Sequence, residues 1–160
     1  MWLSGTNVGK TLVLASLLYL ASGNDPLLEY YEGPSPAGDS KYLPGTTVAL
    51  SASCQEGLGD SATVNLEMLS WSIDSQVFVL GNNEELADSI LAGSCFINIV
   101  KNGGDTQTLY ITCSEICGHQ IGIICDNSNG SAVDDTELVI EFEYVQCTED
   151  IDCDDGNIVN

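Results

Sequence analysis

The chain has 160 residues and a mass of 17.0 kDa, which corresponds to one domain with a short tail. Apolar residues make up 44% of it, which is enough for a hydrophobic core and argues against wholesale disorder. The 24 acidic residues face three lysines and no arginine, and the net charge of -21 argues against nucleic acid or an anionic membrane as a partner.

The first 23 residues have the layout of a secretory signal peptide. Residues 1–23 contain no acid, Lys10 precedes an apolar run from Leu12 to Ala21, and small residues follow at 21–23. The run is too short to cross a bilayer core of roughly 30 Å. A buried N-terminal helix is the alternative. The sequence therefore predicts a secreted or cell-surface protein with no membrane insertion after signal removal.

All four prolines fall in the next segment, residues 24–45. This Pro- and Gly-rich lead-in predicts a linker or a leading strand before an uninterrupted body, residues 46–146. The chain would end in residues 147–160, which form the start of a Cys- and Asp-rich repeat.

Alternation with a period of two predicts strands in the first half of the body. The alternating apolar sets are Val48, Leu50, Ala52 and Cys54, then Val64, Leu66 and Met68, then Leu69, Trp71 and Ile73. The change of phase after Met68 predicts a β-bulge or a strand that changes partners. A short apolar run at 77–80 ends in a Gly-Asn-Asn turn.

The second half of the body contains one predicted helix and further strands. Helical spacing of Leu86, Ile90 and Leu91 predicts a helix over 84–92, closed by Gly93. Two apolar runs, 95–100 and 106–113, flank Asn-Gly-Gly-Asp and predict a hairpin. Strands are also predicted at 121–125 and at the end of the body. In the last strand Leu138, Ile140, Phe142 and Tyr144 alternate with Glu137, Glu141 and Glu143.

Seven or eight short strands with at most one short helix predict an all-β fold, an antiparallel β-sandwich that is immunoglobulin-like or similar, followed by a short disulfide-rich acidic tail. Cys54, Trp71 and Cys113 follow one another as the strand-B Cys, strand-C Trp and strand-F Cys of an immunoglobulin domain do, and in this respect the chain resembles that fold. The corner tyrosine does not match, because Tyr110 precedes Cys113 by three residues rather than two. The alternative is that Trp71 is simply a core aromatic residue.

Seven cysteines behind a signal peptide predict disulfides formed in an oxidising compartment. The candidates are Cys54, Cys95, Cys113, Cys117, Cys125, Cys147 and Cys153. The odd number predicts a partner beyond residue 160, as in a fragment, or else a free thiol or an intermolecular bridge. Sequence does not decide the pairing. Zinc is the alternative for Cys113 and Cys117, although such a site needs four Cys or His ligands and the chain has one His.

The tail carries alternate carboxylates, which are the ligands that Ca²⁺ prefers. The candidate ligands are Asp150, Asp152, Asp154, Asp155 and Asn157. The segment is not an EF-hand, because Gly156 stands one place late and no distal Glu follows. It resembles the D-x-D-C-D-D-G-N repeats of multimodular secreted bacterial proteins, a resemblance that implies a disulfide-stapled, calcium-binding spacer. The alternative is a solvated acidic tail closed by Cys147 and Cys153.

The segment Cys113-Ser-Glu-Ile-Cys117-Gly-His119 resembles the binuclear-copper loop of cytochrome oxidase subunit II, C-S-E-x-C-G-x-x-H. The resemblance implies copper held by both thiolates and the Glu115 carbonyl. The loop's His would stand at position 121, where this chain has Ile121, and no Met follows. The upstream His would fall at Leu69. The alternative is that these cysteines form disulfides in a β-loop.

No nucleophile with an oriented base is recognisable, and the sequence predicts no enzyme. We therefore expect a secreted or cell-surface structural or binding module of a multimodular protein, stabilised by Ca²⁺, with an unknown protein or glycan ligand. The alternative is a cupredoxin-like copper electron-transfer domain with an incomplete ligand set.

Overall fold

Ten β-strands form in the computed structural model, which describes residues 26–57, 63–64, 68–81, 83–90, 92–126 and 136–147. No α-helix forms in these residues, so the described part of the chain contains no helix that could cross a membrane. The strands are β1 (Leu27–Glu32), β2 (Ser40–Tyr42), β3 (Thr47–Gln55), β4 (Leu69–Ile73), β5 (Gln76–Phe78), β6 (Glu85–Ile90), β7 (Cys95–Lys101), β8 (Gln107–Cys113), β9 (Cys117–Cys125) and β10 (Thr136–Tyr144).

The strands pair into two five-stranded sheets. The first has the order β1-β3-β8-β7-β6 and the second the order β2-β10-β9-β4-β5. Every named pairing is antiparallel except that of β2 with β10, which is parallel. The two sheets pack face to face, so the expected antiparallel β-sandwich is confirmed. The lead-in contributes β1 to one sheet and β2 to the other.

Alternation along each strand puts apolar side chains between the sheets, as the sequence predicts. In β3 the side chains of Val48, Leu50 and Ala52 are buried, whereas Ala49 is exposed. In β10 the buried residues are Ile140, Phe142 and Tyr144, and the exposed ones are Glu137, Glu141 and Glu143. The predicted inward and outward faces of both strands are therefore confirmed.

A disulfide and a tryptophan form the centre of the sandwich. Cys54 of β3 is bonded to Cys125 of β9, which ties one sheet to the other across a sequence separation of 71 residues. Trp71 of β4 is fully buried, and its Nε1 donates a hydrogen bond to Gln107 Oε1 at 3.1 Å. An inter-sheet disulfide with a buried strand-C tryptophan is a hallmark of immunoglobulin domains.

The proposed assignment of Cys113 as the second cysteine of this pattern is wrong. Cys113 lies on β8, which is hydrogen-bonded to β3 in the same sheet, so it cannot bridge Cys54 to the opposite sheet. Cys125 on β9 takes that place. The residue two positions before it is Ile123, which is buried, so the corner tyrosine has no counterpart there.

The helix predicted over 84–92 is also wrong, because residues Glu85–Ile90 form strand β6 and pair antiparallel with β7. Leu86 and Ile90 stand four residues apart, a spacing that puts both on one face in a helix and in a strand alike. Both pack at the border of the core. Pairing with the buried strand β7 thus outweighs a weak local preference.

The hairpin predicted around residues 102–105 is confirmed, since β7 and β8 pair in register from Cys95↔Cys113 to Lys101↔Gln107. The predicted signal peptide, residues 1–23, lies outside the described residues. The same holds for the predicted calcium ligands Asp150, Asp152, Asp154, Asp155 and Asn157. Both remain predictions.

Candidate metal centre

The structure pairs four of the candidate disulfide cysteines within the described residues. Cys54 is bonded to Cys125, and Cys95 is bonded to Cys113. Cys147 is also disulfide-bonded, while Cys153 lies outside the described residues. The free thiol among the described cysteines is Cys117.

Three cysteines and the histidine meet where β7, β8 and β9 come together. Cys95 begins β7 and Cys113 ends β8, and the two are directly opposite in the ladder. Cys117 and His119 both lie in β9, two residues apart, so they share one face of that strand. One donor atom from each of the four residues lies within 4.8 Å of every other. We refer to these four residues as the Cys–His centre.

The imidazole of His119 points its Nε2 at all three sulfurs. Nε2 lies 3.0 Å from Cys95 Sγ, 3.2 Å from Cys117 Sγ and 3.4 Å from Cys113 Sγ. The Sγ atoms of Cys95 and Cys117 are 3.9 Å apart. Three sulfurs and one imidazole nitrogen therefore lie within one small volume. The Cys95 and Cys113 sulfurs are bonded to each other, and once reduced they would join Cys117 and His119 as donors of the type that soft metal ions prefer.

Asp74 fixes the orientation of the imidazole. Its Oδ2 accepts a hydrogen bond from His119 Nδ1 at 2.6 Å, and its Oδ1 accepts one from the backbone N–H of Gln120 at 3.0 Å. The Asp74 N–H donates to the Gln120 carbonyl at 2.9 Å. Because Nδ1 carries the proton that this carboxylate accepts, the neutral ring presents the Nε2 lone pair to the sulfurs.

The position of Asp74 comes from the tight turn between β4 and β5. Asp74 and Ser75 both have positive φ, 49° and 73°, as the two central residues of a two-residue hairpin turn often do. Asp tolerates this conformation better than most residues. The turn thus delivers a carboxylate to the start of β9 from the neighbouring strand of the same sheet.

The loop before β7, which contains Gly93, covers the Cys–His centre on another side. Gly93 has a φ of 78°, and a Cβ at this position would collide with Cys117 Sγ and lie 2.6 Å from Cys117 Cβ. The loop is attached to the β8–β9 turn, because Glu115 N–H donates to the Gly93 carbonyl at 3.2 Å. Only a residue without a side chain leaves room here for the sulfurs.

The surroundings of the centre are acidic. A cavity of about 380 Å³ opens beside His119, and its lining includes the carboxylates of Asp74, Glu141 and Glu143. Burial raises the pKa of the Cys117 thiol, and the nearby charges of Asp74 and Glu115 raise it further. An acidic opening attracts cations toward the centre, and a bound cation would oppose this rise in the pKa of the thiol.

The ligand set that the copper-loop resemblance implies is only partly present. Cys113 and Cys117 do lie together, and the Glu115 carbonyl is 3.4 Å from Cys117 Sγ. Ile121 stands where that loop has its histidine, and Leu69 stands where the family has its upstream histidine. Both are buried core residues here. Cys95 was predicted only as a disulfide cysteine, which is confirmed, and its place beside Cys117 and His119 was not predicted. Nothing in the sequence indicated Asp74, and no role was predicted for His119. The predicted hairpin brings Cys95 close to the end of β8, and the observed register places it opposite Cys113.

Comparisons of the chain with known protein families, with curated proteins and with solved structures gave no match.

Proposed function

We propose that this chain is a secreted or cell-surface immunoglobulin-like module whose Cys–His centre binds one thiophilic metal ion, Zn²⁺ or Cu⁺. The observation that carries the proposal is the convergence of Cys95, Cys113, Cys117 and an Asp-oriented His119 on one point. The signal-like leader and the disulfides support the location.

The spacing between the Cys117 and Cys95 sulfurs supports a four-coordinate site. At Zn–S and Zn–N bond lengths of about 2.3 and 2.0 Å, tetrahedral geometry places two thiolates about 3.8 Å apart and a thiolate about 3.6 Å from an imidazole nitrogen. The Cys95–Cys117 sulfur distance of 3.9 Å matches the first value. The Nε2 distances of 3.0 to 3.4 Å are a few tenths of an ångström shorter than the second value. The Cys95 and Cys113 sulfurs, which are bonded at 1.99 Å, must separate to about 3.8 Å before both can bind the ion.

Ion binding at all four donors requires that the Cys95–Cys113 disulfide be reduced, because each sulfur must bind as a thiolate. A centre with three thiolates and one imidazole leaves no open position on a tetrahedral ion, and closed sites of this kind hold a metal rather than perform catalysis. The proposed function is therefore metal binding, with Cu⁺ and Zn²⁺ favoured by the soft sulfur donors.

The test is a metal titration of reduced protein without oxygen. We expect one equivalent of Zn²⁺ or Cu⁺ to bind in competition with a chromophoric chelator, and the His119→Ala variant to bind at least tenfold more weakly. Gln120→Ala is the matched control, because Gln120 is the exposed neighbour of His119 on β9. Equal affinity of wild-type protein and His119→Ala for both ions would overturn the proposal.

A further inference from the structure

The three sulfurs of the Cys–His centre differ in their access to solvent. Cys113 is completely buried, and Cys95 is exposed to only 2%, so an external thiol cannot reach the disulfide between them. Cys117 is partly exposed and carries a free thiol. Its Sγ lies 3.9 Å from Cys95 Sγ, although β7 and β9 belong to different sheets.

From this arrangement we propose that Cys117 is the relay thiol through which an external dithiol opens the Cys95–Cys113 disulfide, so that the redox state of the centre decides whether it holds a metal ion. The disulfide exchange, which we call the relay step, is inferred from the positions of the three sulfurs. The control of metal binding, which we call the metal step, rests on the proposed function. Thiol–disulfide exchange needs an attacking thiolate with access to one sulfur of the bond, and Cys117 has that access.

Opening begins inside the protein. The Cys117 thiolate attacks Cys95 Sγ, the Cys95–Cys113 bond breaks, and a Cys95–Cys117 disulfide forms while Cys113 leaves as a thiolate. The proton that Cys117 gave up passes to Cys113. His119 Nε2 lies 3.2 Å from the first of these sulfurs and 3.4 Å from the second, which provides a short route for this transfer.

Reduction is then completed from outside by a small dithiol. One thiolate of the dithiol attacks the exposed Cys117 Sγ, forms a mixed disulfide and releases Cys95 as a thiolate. The second thiol of the dithiol then attacks the reagent sulfur that is bonded to Cys117. The reagent's two sulfurs form a disulfide, and Cys117 is released. In total the protein disulfide gains two electrons and two protons, and the dithiol loses the same number.

The reduced centre then has all four donors free for a metal ion. A bound ion occupies all three thiolates, so it also prevents the reverse exchange and protects Cys95 and Cys113 from oxidation. The oxidised centre retains only Cys117 and His119 as donors, which is too few for a closed four-coordinate site.

The relay is tested by the rate at which a dithiol reduces each disulfide of the folded, oxidised protein. Samples are quenched by alkylation, and the bonds are followed by mass spectrometry. We expect Cys95–Cys113 to be reduced at least tenfold more slowly in Cys117→Ala than in wild-type protein. The Cys54–Cys125 bond is the internal control, because both of its sulfurs are buried and its rate should be the same in both proteins.

A second arm needs no variant. Alkylation of Cys117 in folded wild-type protein, followed by the same dithiol, should slow the reduction of Cys95–Cys113 to the same extent. If the rate is unchanged after alkylation and in Cys117→Ala, the relay is wrong.

The metal step is tested by titrating oxidised and reduced wild-type protein with Zn²⁺ and Cu⁺ in parallel. At least 100-fold weaker binding by the oxidised form supports the redox control. Equal binding by both forms overturns the redox control and leaves the proposed function intact. Absence of binding by both forms overturns the proposed function and with it the metal step, whereas the reduction rates still decide the relay.

Discussion

Asp74 and His119 form a hydrogen bond of 2.6 Å between Oδ2 and Nδ1, and this bond links a tight turn in one part of the second sheet to the Cys–His centre. The other carboxylate oxygen and the backbone N–H of Asp74 are both bonded to Gln120. Two hydrogen bonds to the carboxylate and one from the backbone of Asp74 thus hold this residue in place, and the carboxylate in turn orients the imidazole.

The first prediction concerns this carboxylate. Asp74→Asn removes the charge that orients the ring, and we expect the reduced protein to bind Zn²⁺ about 10- to 100-fold more weakly. Glu141→Gln is the matched control, since it removes a charge from the same cavity without touching the imidazole. If both variants lose affinity equally, the effect comes from the charge of the cavity, and the orienting role of Asp74 is wrong. Affinity is measured by chelator competition.

The second prediction compares two glycines with positive φ. Gly45 has a φ of 87° and open space where a Cβ would stand, whereas a Cβ on Gly93 would collide with Cys117. We expect Gly45→Ala to cost about 1–2 kcal/mol, the strain of the left-handed conformation alone. Gly93→Ala should cost more and should change the reactivity of Cys117. Urea unfolding measures both, and an equal cost in the two variants would contradict the close packing at Gly93.

The third prediction concerns the thiol of Cys117. Burial and the charges of Asp74 and Glu115 raise its pKa, and only the thiolate reacts with iodoacetamide. The midpoint of the alkylation rate against pH should therefore lie above that of an unstructured cysteine, which is about 8.5. Glu115→Gln should lower the midpoint, whereas Glu143→Gln should leave it unchanged. A midpoint at or below the ordinary value would contradict this prediction.

The fourth prediction concerns stability in alkali. The Tyr144 hydroxyl is buried, and the carbonyls of Thr46 and Ile111 share its one proton at 2.8 and 3.0 Å from the hydroxyl oxygen. Burial raises its pKa to about 12, against about 10 in the unfolded chain. The contribution of this group is therefore complete below pH 10 and is lost as the pH rises from 10 to 12. Tyr144→Phe should be less stable at pH 7 and should lose less free energy of unfolding over that interval. An identical pH dependence in both proteins would refute this assignment.

Sequence periodicity was sufficient to predict the strands whose side chains form the core. The faces of β3 and β10 follow directly from alternation, because every second side chain must be removed from water. The hairpin that contains Cys95 and Cys113 was predicted as well, but the pairing of these cysteines was not. A turn centred on residues 102–105 would place Cys95 opposite Thr112, whereas the observed register is centred on Gly104 and places Cys95 opposite Cys113.

The other features depend on long-range geometry. Cys54 pairs with Cys125 rather than Cys113 because of which sheet each strand joins, and the spacing of cysteines carries no information on that choice. Asp74 reaches His119 from 45 residues away through a turn between two neighbouring strands. The segment 85–90 became a strand because β7 offers a partner, which a local pattern cannot reveal.

The parallel pairing of β2 with β10 has a consequence for how the chain folds. Ser40 lies opposite Phe142, so roughly one hundred residues must be synthesised before this contact can close, and such distant contacts slow folding. Once β10 has been made, and until β2 pairs with it, the edge of β10 offers unpaired backbone groups to any other extended strand. A newly made chain would therefore depend on this late step to avoid association with other copies of itself.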